Sequence, residues 1–297
     1  TEATYTVDEE KLPEGFSTFN LVVKGLTGGH SGDDINKKRA NANKLLVRFL
    51  CEQSEKTDLR LCDIQAGGLH NAIPREAHAT VAVPTAYVTT FGEELQAFVE
   101  KVRDEFSATE PELTAVIEPV AAAPTCICKE QAERLLKSLS VVHNGIFAMS
   151  QDLEGLVETS SNLASVHKHG NQIVATTSQR SSVASNLEYM ASVVRSAFEL
   201  GGAKCVTNEG YPGWKMNPKS EILKVCVDSY KRLFGKDPLV RAIHAGLECG
   251  LFSEKYPHLD MVSFGPTLRG VHSPDERLLI PTVQMVWDHL LDVLKNV

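Results

Sequence analysis

The sequence predicts an α/β protein in two parts, an antiparallel-sheet α/β domain followed by half of a mixed or parallel α/β domain. Three observations predict it. Up to about residue 200, strand-like and helix-like stretches succeed one another as β-α-β-β-α-β, then as a second pass of similar order. Residues 208–220 (NEGYPGWKMNPKS) gather prolines, glycines and a tryptophan, which marks a boundary. Beyond it, helices alternate with short apolar strands, the order expected of a parallel sheet.

The elements follow in turn. In residues 16–26 (FSTFNLVVKGL), Phe19, Leu21 and Val23 alternate with Asn20, Val22 and Lys24, as in a strand. The Gly-rich loop TGGHSGDD then feeds a helix in which Ala40, Asn43, Leu46, Val47 and Leu50 recur at helical spacing. Its start is set at Asp33 or Asp34, because an acidic side chain there accepts from first-turn amides. Strands over 59–66 and 77–83 flank GGLHNAIPRE, where Pro74 lacks a ladder donor and forces a turn or strand end. A helix over 91–106 and a strand over 113–119 close the first pass. In the second, a helix over 130–140 leads to strands 164–169 and 172–178, joined by a Gly-Asn hairpin signal. An amphipathic helix over 185–200 follows. After the boundary come a helix over 221–234, a strand over 239–243, a helix from Glu248, a strand over 261–264 and a helix over 281–295. Roughly ninety residues are few for a complete domain of that class, so the tail reads as half of one.

Composition narrows the function. The chain has 297 residues, 42% hydrophobic and 23% charged, which suits a globular protein with a proper core. Its formal net charge of -8 argues against a nucleic-acid binder, since phosphate contacts need clustered Lys and Arg. No apolar run approaches the roughly 18 residues of a membrane span. The seven cysteines are scattered, with only Cys126 and Cys128 close together. Reduced thiols in a cytoplasmic protein are expected, rather than a disulfide framework or a thiolate zinc site.

Several residues can carry chemistry. His272, in GVHSPDE, follows the strand at 261–264, and ligands of α/β sheets collect outside the carboxyl ends of strands. A histidine there suits a metal ligand oriented by a carboxylate, or a surface histidine beside a capped helix start. In HAGLECG, Gly246 permits close backbone approach and the helix-start amides near Glu248 can bind an anion; a plain tight turn fits equally. Cys249 near His244 raises a thiol nucleophile as an alternative. His30 in GGHSG, Asn71 in GGLHNAIP and Arg180 in TSQRSS each have an ordinary reading as an exposed loop histidine, a turn residue and a solvated charge. His258-Leu259-Asp260 imitates a His-x-Asp metal pair but precedes its strand. His167 and His169 share a strand face without a carboxylate close in sequence.

Together, GGHSGDDI, NANKLLVRFL, GGLHNAIPRE, ETSSNLA, TSQRSS, YPGW, HAGLECG and GVHSPDE resemble the bacterial aminoacyl-histidine dipeptidases. These are also called cytosolic non-specific dipeptidases, and are relatives of carnosinases among the co-catalytic zinc exopeptidases. The resemblance covers essentially the whole chain, in order. It implies a catalytic α/β domain interrupted by a lid domain that forms a homodimer. Residues 1–13 would then be a remnant of the N-terminal catalytic half, 14–207 the lid, and 208–297 the C-terminal part of the catalytic domain.

The resemblance implies hydrolysis of Xaa-His and other short dipeptides by a hydroxide held between two zinc ions, with manganese or cobalt as alternatives. It implies that His272 is a zinc ligand and that His30 reaches into the partner subunit's site to stabilise the oxyanion. Arg180 would grip the substrate's terminal carboxylate, with Asn71 assisting, and the loop of Gly246 and Glu248 would line the pocket. The family's other metal ligands lie upstream of its lid and have no counterpart here. A zinc site wants three or four protein ligands, so this chain alone is expected to hold no proper dinuclear site and to be inactive. A non-catalytic dimerisation or peptide-binding module is the competing reading.

Overall fold

A computed structural model of the chain describes residues 1–151, 153–208, 210, 214, 217, 219–240, 248–269 and 276–297; the side chain of Glu248 is not among what is described. It divides into two compact units, within residues 1–210 and 214–297. No helix of the described residues is long and apolar enough to cross a membrane.

The first unit runs β1 (Glu2–Thr6), β2 (Glu9–Lys11), β3 (Phe16–Lys24), β4 (Gly29–His30), α1 (Ala42–Ser54), β5 (Arg60–Gly67), β6 (Ala72–Ile73), β7 (Ala77–Pro84), α2 (Val88–Glu105) and β8 (Thr114–Pro119). It continues with β9 (Thr125–Ile127), α3 (Lys129–Val141), β10 (Gly145–Met149), β11 (Val157–His169), β12 (Gln172–Ser181), α4 (Ala184–Leu200) and β13 (Lys204–Val206). The main sheet has the order β13-β1-β12-β11-β5-β7-β3-β8, with β10 also beside β11. Its ladders are antiparallel. The two passes read from the sequence fuse where β5 meets β11, in register from Ser165 opposite Gly67 to His167 opposite Gln65.

Apolar faces of the helices close over this sheet. Phe49 of α1 lies 5.4 Å from the Phe91 ring and 5.2 Å from the Phe98 ring of α2. Tyr5 of β1 meets Phe198 of α4 edge-on at 6.4 Å. Each such aromatic side chain buries 150–250 Å² or so, which makes them large contributors to the core. Lys44 of α1 donates to the carbonyls of Leu139, Ser140 and Val142, satisfying the acceptors that the end of α3 leaves open.

Two expectations are corrected in this unit, the start of the first helix and the start of β11. The first helix starts at Ala42, not at Asp33 or Asp34. Asn41 is its cap and accepts from the Lys44 amide at 3.2 Å. Asp34 precedes only one 3₁₀ turn, Ile35–Lys37, after which Lys38 turns left-handed with φ 56°. The Asp34 carboxylate is occupied instead by the His30 amide, Lys37 and Arg39. Strand β11 begins well before residue 164, because the polar run ETSSN is buried although it lacks apolar alternation. Residues 1–13 supply β1, which lies between β12 and β13, and β2, which pairs with β9.

The second unit contains α5 (Glu221–Phe234), α6 (Glu248–Lys255), β14 (Leu268–Arg269), β15 (Arg277–Leu278) and α7 (Pro281–Asn296). Ser220 caps α5 by accepting from the Leu223 amide at 3.1 Å, and Gly235 ends it in the left-handed region that glycine adopts freely. Helices α5 and α7 are joined by His289, whose Nε2 lies 2.9 Å from the Cys226 carbonyl oxygen and whose ring meets Tyr230 at 5.6 Å. The strand expected at 261–264 does not form, and of the strand expected at 239–243 the described residues, Leu239 and Val240, are not in one. A short apolar run has little strand preference of its own without a neighbouring ladder. Among the described residues, the strands of this unit are the antiparallel pair β14 and β15.

Candidate active site

The loop between Thr27 and Ala40 presents His30. Gly29 and His30 form β4 and pair with Ile73 and Ala72 of β6, while the Ser31 amide donates to the Asn71 carbonyl at 2.8 Å. Those contacts bring His30 and Asn71 together from separate parts of the chain. Gly29 has φ 141°, and a Cβ there would collide with the Asp34 carboxylate and the Arg39 guanidinium. Only glycine fits that place comfortably.

Asp34 holds the loop from inside. Its Oδ2 accepts from the His30 amide at 2.8 Å and lies 3.3 Å from Arg39 Nη1; Oδ1 pairs with Lys37. Arg39 in turn donates to the Gly28 carbonyl. Burial works against ionisation of Asp34, but Lys37, the His30 amide and Arg39 outweigh it and hold the carboxyl below its ordinary range.

The imidazole of His30 is set by backbone. The amides of Gly32 and Asp33 both donate to Nδ1, each at 3.2 Å. A ring nitrogen that accepts carries no proton, so the neutral ring holds its proton on Nε2 and is a donor there.

A buried amide network braces the Asn71 turn. Asn162 of β11 donates to the Ala72 carbonyl at 2.8 Å and accepts from Asn41 Nδ2 at 3.3 Å. Asn41 also reaches Asn144 Oδ1 at 2.9 Å and the Leu163 carbonyl at 3.0 Å. The His30–Asn71 ribbon is thereby tied to the cap of α1 and to β11.

Arg180 lies on β12 opposite Ser160 of β11, which is itself opposite Ile146 of β10. Residues opposite one another in a ladder share a face, so Ile146, Ser160 and Arg180 form one row. Side chains of the other face confirm the alternation, with Thr159 bonded to Ser181 at 2.8 Å and Gln179 donating to Ser161 at 3.1 Å. Arg180 Nε is buried and has no hydrogen-bond partner among the described residues. Burial lowers the pKa of the guanidinium, and the charge of Asp33 opposes that. Asp33 belongs to the His30 loop, which places Arg180 within electrostatic reach of it.

His30, Asn71 and Arg180 are therefore held by one unit, with a guanidinium suited to a carboxylate and an imidazole N–H suited to an anionic oxygen. Gly246 and His272 lie outside the described residues, as does the side chain of Glu248, whose backbone opens α6. Among the described residues no three His, Cys, Asp or Glu side chains gather closely enough to hold a metal ion. His167 turns its Nδ1 to Gln65 Oε1 at 3.0 Å, and Asp260 accepts from the Ile222 amide at 3.1 Å at the start of α5, so both have structural partners. Sequence reasoning missed Asp34 as a brace and Ser160 and Asn162 as neighbours of the site. The signal for the last two was the run ETSSN, polar where a strand core is apolar.

Residues 14–113 match the peptidase dimerisation domain family. Cytosol non-specific dipeptidase of Escherichia coli (strain K12) is 40% identical over 291 residues, covering 98% of this chain and 60% of that protein. The crystal structure of aminoacylhistidine dipeptidase from Vibrio alginolyticus superposes with a TM-score of 0.91 at 39% identity, covering 100% of this chain and 60% of that one. The chain thus spans about three fifths of the length of these relatives. Residues 14–113 are thus similar to peptidase dimerisation domains, and the chain is similar along nearly its whole length to part of the cytosol non-specific, or aminoacylhistidine, dipeptidases.

Proposed function

We propose that this chain provides the dimerising lid and the substrate-gripping groups of a cytoplasmic, metal-dependent dipeptidase acting on Xaa-His and other short dipeptides. The observation that carries the reading is the buried Nε of Arg180, without a hydrogen-bond partner among the described residues and within electrostatic reach of Asp33 in the loop that sets His30 Nδ1 as an acceptor. Arg180 takes the dipeptide's terminal carboxylate, where two parallel N–H···O bonds give position as well as energy. His30 donates from Nε2 to the peptide carbonyl oxygen as charge develops on it, in the partner subunit's site. Asn71 lies beside His30 and assists in holding the substrate. Residues 14–207 are the lid and 208–297 the C-terminal catalytic segment, with Gly246 and Glu248 lining the pocket.

Two zinc ions, with manganese or cobalt as substitutes, would supply the attacking hydroxide, and His272 is the position matched to a ligand. The described residues hold no cluster that fits such ions; the chain's own donors, Arg180 and His30, would supply the carboxylate grip and the oxyanion contact. With one matched ligand, the 297 residues by themselves act as a dimer-forming, dipeptide-binding module without turnover.

Titration of the chain with Ala-His and with its C-terminal amide tests the carboxylate grip. Binding of the acid, weak binding of the amide, and loss of the difference in Arg180→Gln are expected. Equal binding of acid and amide would refute the role of Arg180. Hydrolysis of Ala-His and carnosine with added zinc, with His272→Ala as control, tests the rest; turnover that His272→Ala abolishes would show that the chain supplies a working metal site.

A further inference from the structure

The loop that carries His30 follows the end of β3 at Lys24, and its neck is formed by Thr27 on one side and by Ala40, just before the cap of α1, on the other. One carboxylate holds both ends. Glu110 Oε2 accepts from the Thr27 amide at 2.6 Å, and Oε1 accepts from the Ala40 amide at 2.9 Å. The residue is 1% exposed.

Its neighbour strengthens the same neck. The Thr109 carbonyl accepts from the Thr27 hydroxyl at 2.9 Å, and the Thr109 hydroxyl donates to the Lys38 carbonyl at 3.2 Å. The backbone of both residues is fixed beforehand, because the amides of Thr109 and Glu110 donate to the Phe106 carbonyl at the end of α2. Among the described residues no cation pairs with Glu110. A buried carboxylate without a countercharge is a poor choice for stability alone. Two charge-assisted bonds to backbone amides offset that cost and close the loop at its neck. Compact loops whose ends are held close in this way are often functional.

We propose that Glu110 is a positioning residue for His30. By locking Thr27 against Ala40 it fixes the frame in which Asp34 and the Gly32 and Asp33 amides orient the imidazole. The functional part of this inference rests on the oxyanion role proposed for His30; the mechanical part does not. The bonds of the Glu110 carboxylate go to the Thr27 and Ala40 amides and not to the His30 ring among the described residues, so its effect is exerted through the loop.

The test is imidazole ¹⁵N spectroscopy and amide exchange on the full 297-residue chain. In the unaltered chain His30 should show the Nε2–H pattern, and the Thr27 and Ala40 amides should exchange slowly. In Glu110→Ala the His30 nitrogens should move toward averaged tautomer values, and the two amides should exchange at least about tenfold faster. Glu110→Gln keeps one acceptor oxygen and should fall between. An unchanged His30 signature in folded Glu110→Ala overturns the proposal. If that variant does not fold, Glu110→Gln and the unaltered chain decide: fast exchange at Thr27 and Ala40 before any mutation is also fatal. A His30 signal that responds to Glu110→Ala, but not to a bound phosphinate analogue of Ala-His, would keep the clamp and sink the oxyanion role.

Discussion

The Ser31 amide donates to the Asn71 carbonyl at 2.8 Å, joining the loop of His30 to the turn GGLHNAIP. That bond depends on the backbone path at Gly29, where φ is 141° and a side chain would strike Asp34 and Arg39. Gly29→Ala should therefore displace the Asp34–Arg39 pair and lift His30 out of register with Ala72. Backbone strain of this kind costs about 1–3 kcal/mol. Urea denaturation should show a loss in that range, with faster exchange of the Ser31 amide. A variant with native exchange at Ser31 would mean that the loop absorbs the side chain without moving.

Acid should loosen the same loop. The Asp34 carboxyl sits below its ordinary range in the fold, so folding favours its ionised form. Its contribution is then complete above the unfolded pKa, near 3.9 or so, and is lost as pH falls through the lower folded value. Protection of the His30 amide should hold from neutral pH down to about pH 4 and fade below it. Asp34→Asn should remove that pH dependence and cost about 1 kcal/mol at neutral pH, solvent screening keeping the figure small. Amide exchange of His30 followed against pH measures both. Retained acid sensitivity in Asp34→Asn would assign it to another group.

Much of this arrangement was legible in the sequence, for identifiable reasons. The helix over 221–234 was read with the bounds it has, because Ser220 and Gly235 are its cap and its stop. The strand from Phe16 was legible in the alternation of Phe19, Leu21 and Val23 with Asn20, Val22 and Lys24. At the start of α1 the sequence misleads, because Asp34 looks like a cap while its carboxylate braces the His30 amide. Strand β11 was cut short because Glu158, Thr159, Ser160, Ser161 and Asn162 are polar, and their burial depends on cross-strand partners that no local pattern reveals. Glu110 gave no signal, since its partners, Thr27 and Ala40, are distant in sequence and contribute only backbone. His30, Asn71 and Arg180 were individually unpersuasive. Resemblance singled them out, and the fold puts them in one unit.

Asn162 tests how far the ribbon depends on the sheet behind it. Its amide donates to Ala72 and its carbonyl accepts from Asn41. Asn162→Leu keeps the approximate volume but strands a buried carbonyl and removes one acceptor of Asn41. A buried group left without a partner costs about 1–3 kcal/mol. Denaturation should register that loss, and the amides of His30 and Ser31 should exchange faster than those of β12. Uniform acceleration across the unit would instead indicate a general packing defect.

Arg180 should show the opposite balance. Its Nε is buried and has no hydrogen-bond partner among the described residues, and burial lowers the pKa of its guanidinium. Burial of that nitrogen carries a desolvation cost that its described neighbours do not offset, and the carboxylate grip proposed for Arg180 would offset it. Arg180→Met fills similar space without a charge and should leave thermal stability unchanged or raise it by a few degrees. The same substitution removes the partner of the substrate carboxylate. A charge-assisted pair of this kind is worth about 1.5–3 kcal/mol, so Ala-His should bind roughly ten- to a hundredfold more weakly. Calorimetric melting and dipeptide titration on one sample measure both sides. A variant that melts well below the unaltered chain would show that Arg180 is a structural residue whose partners lie elsewhere.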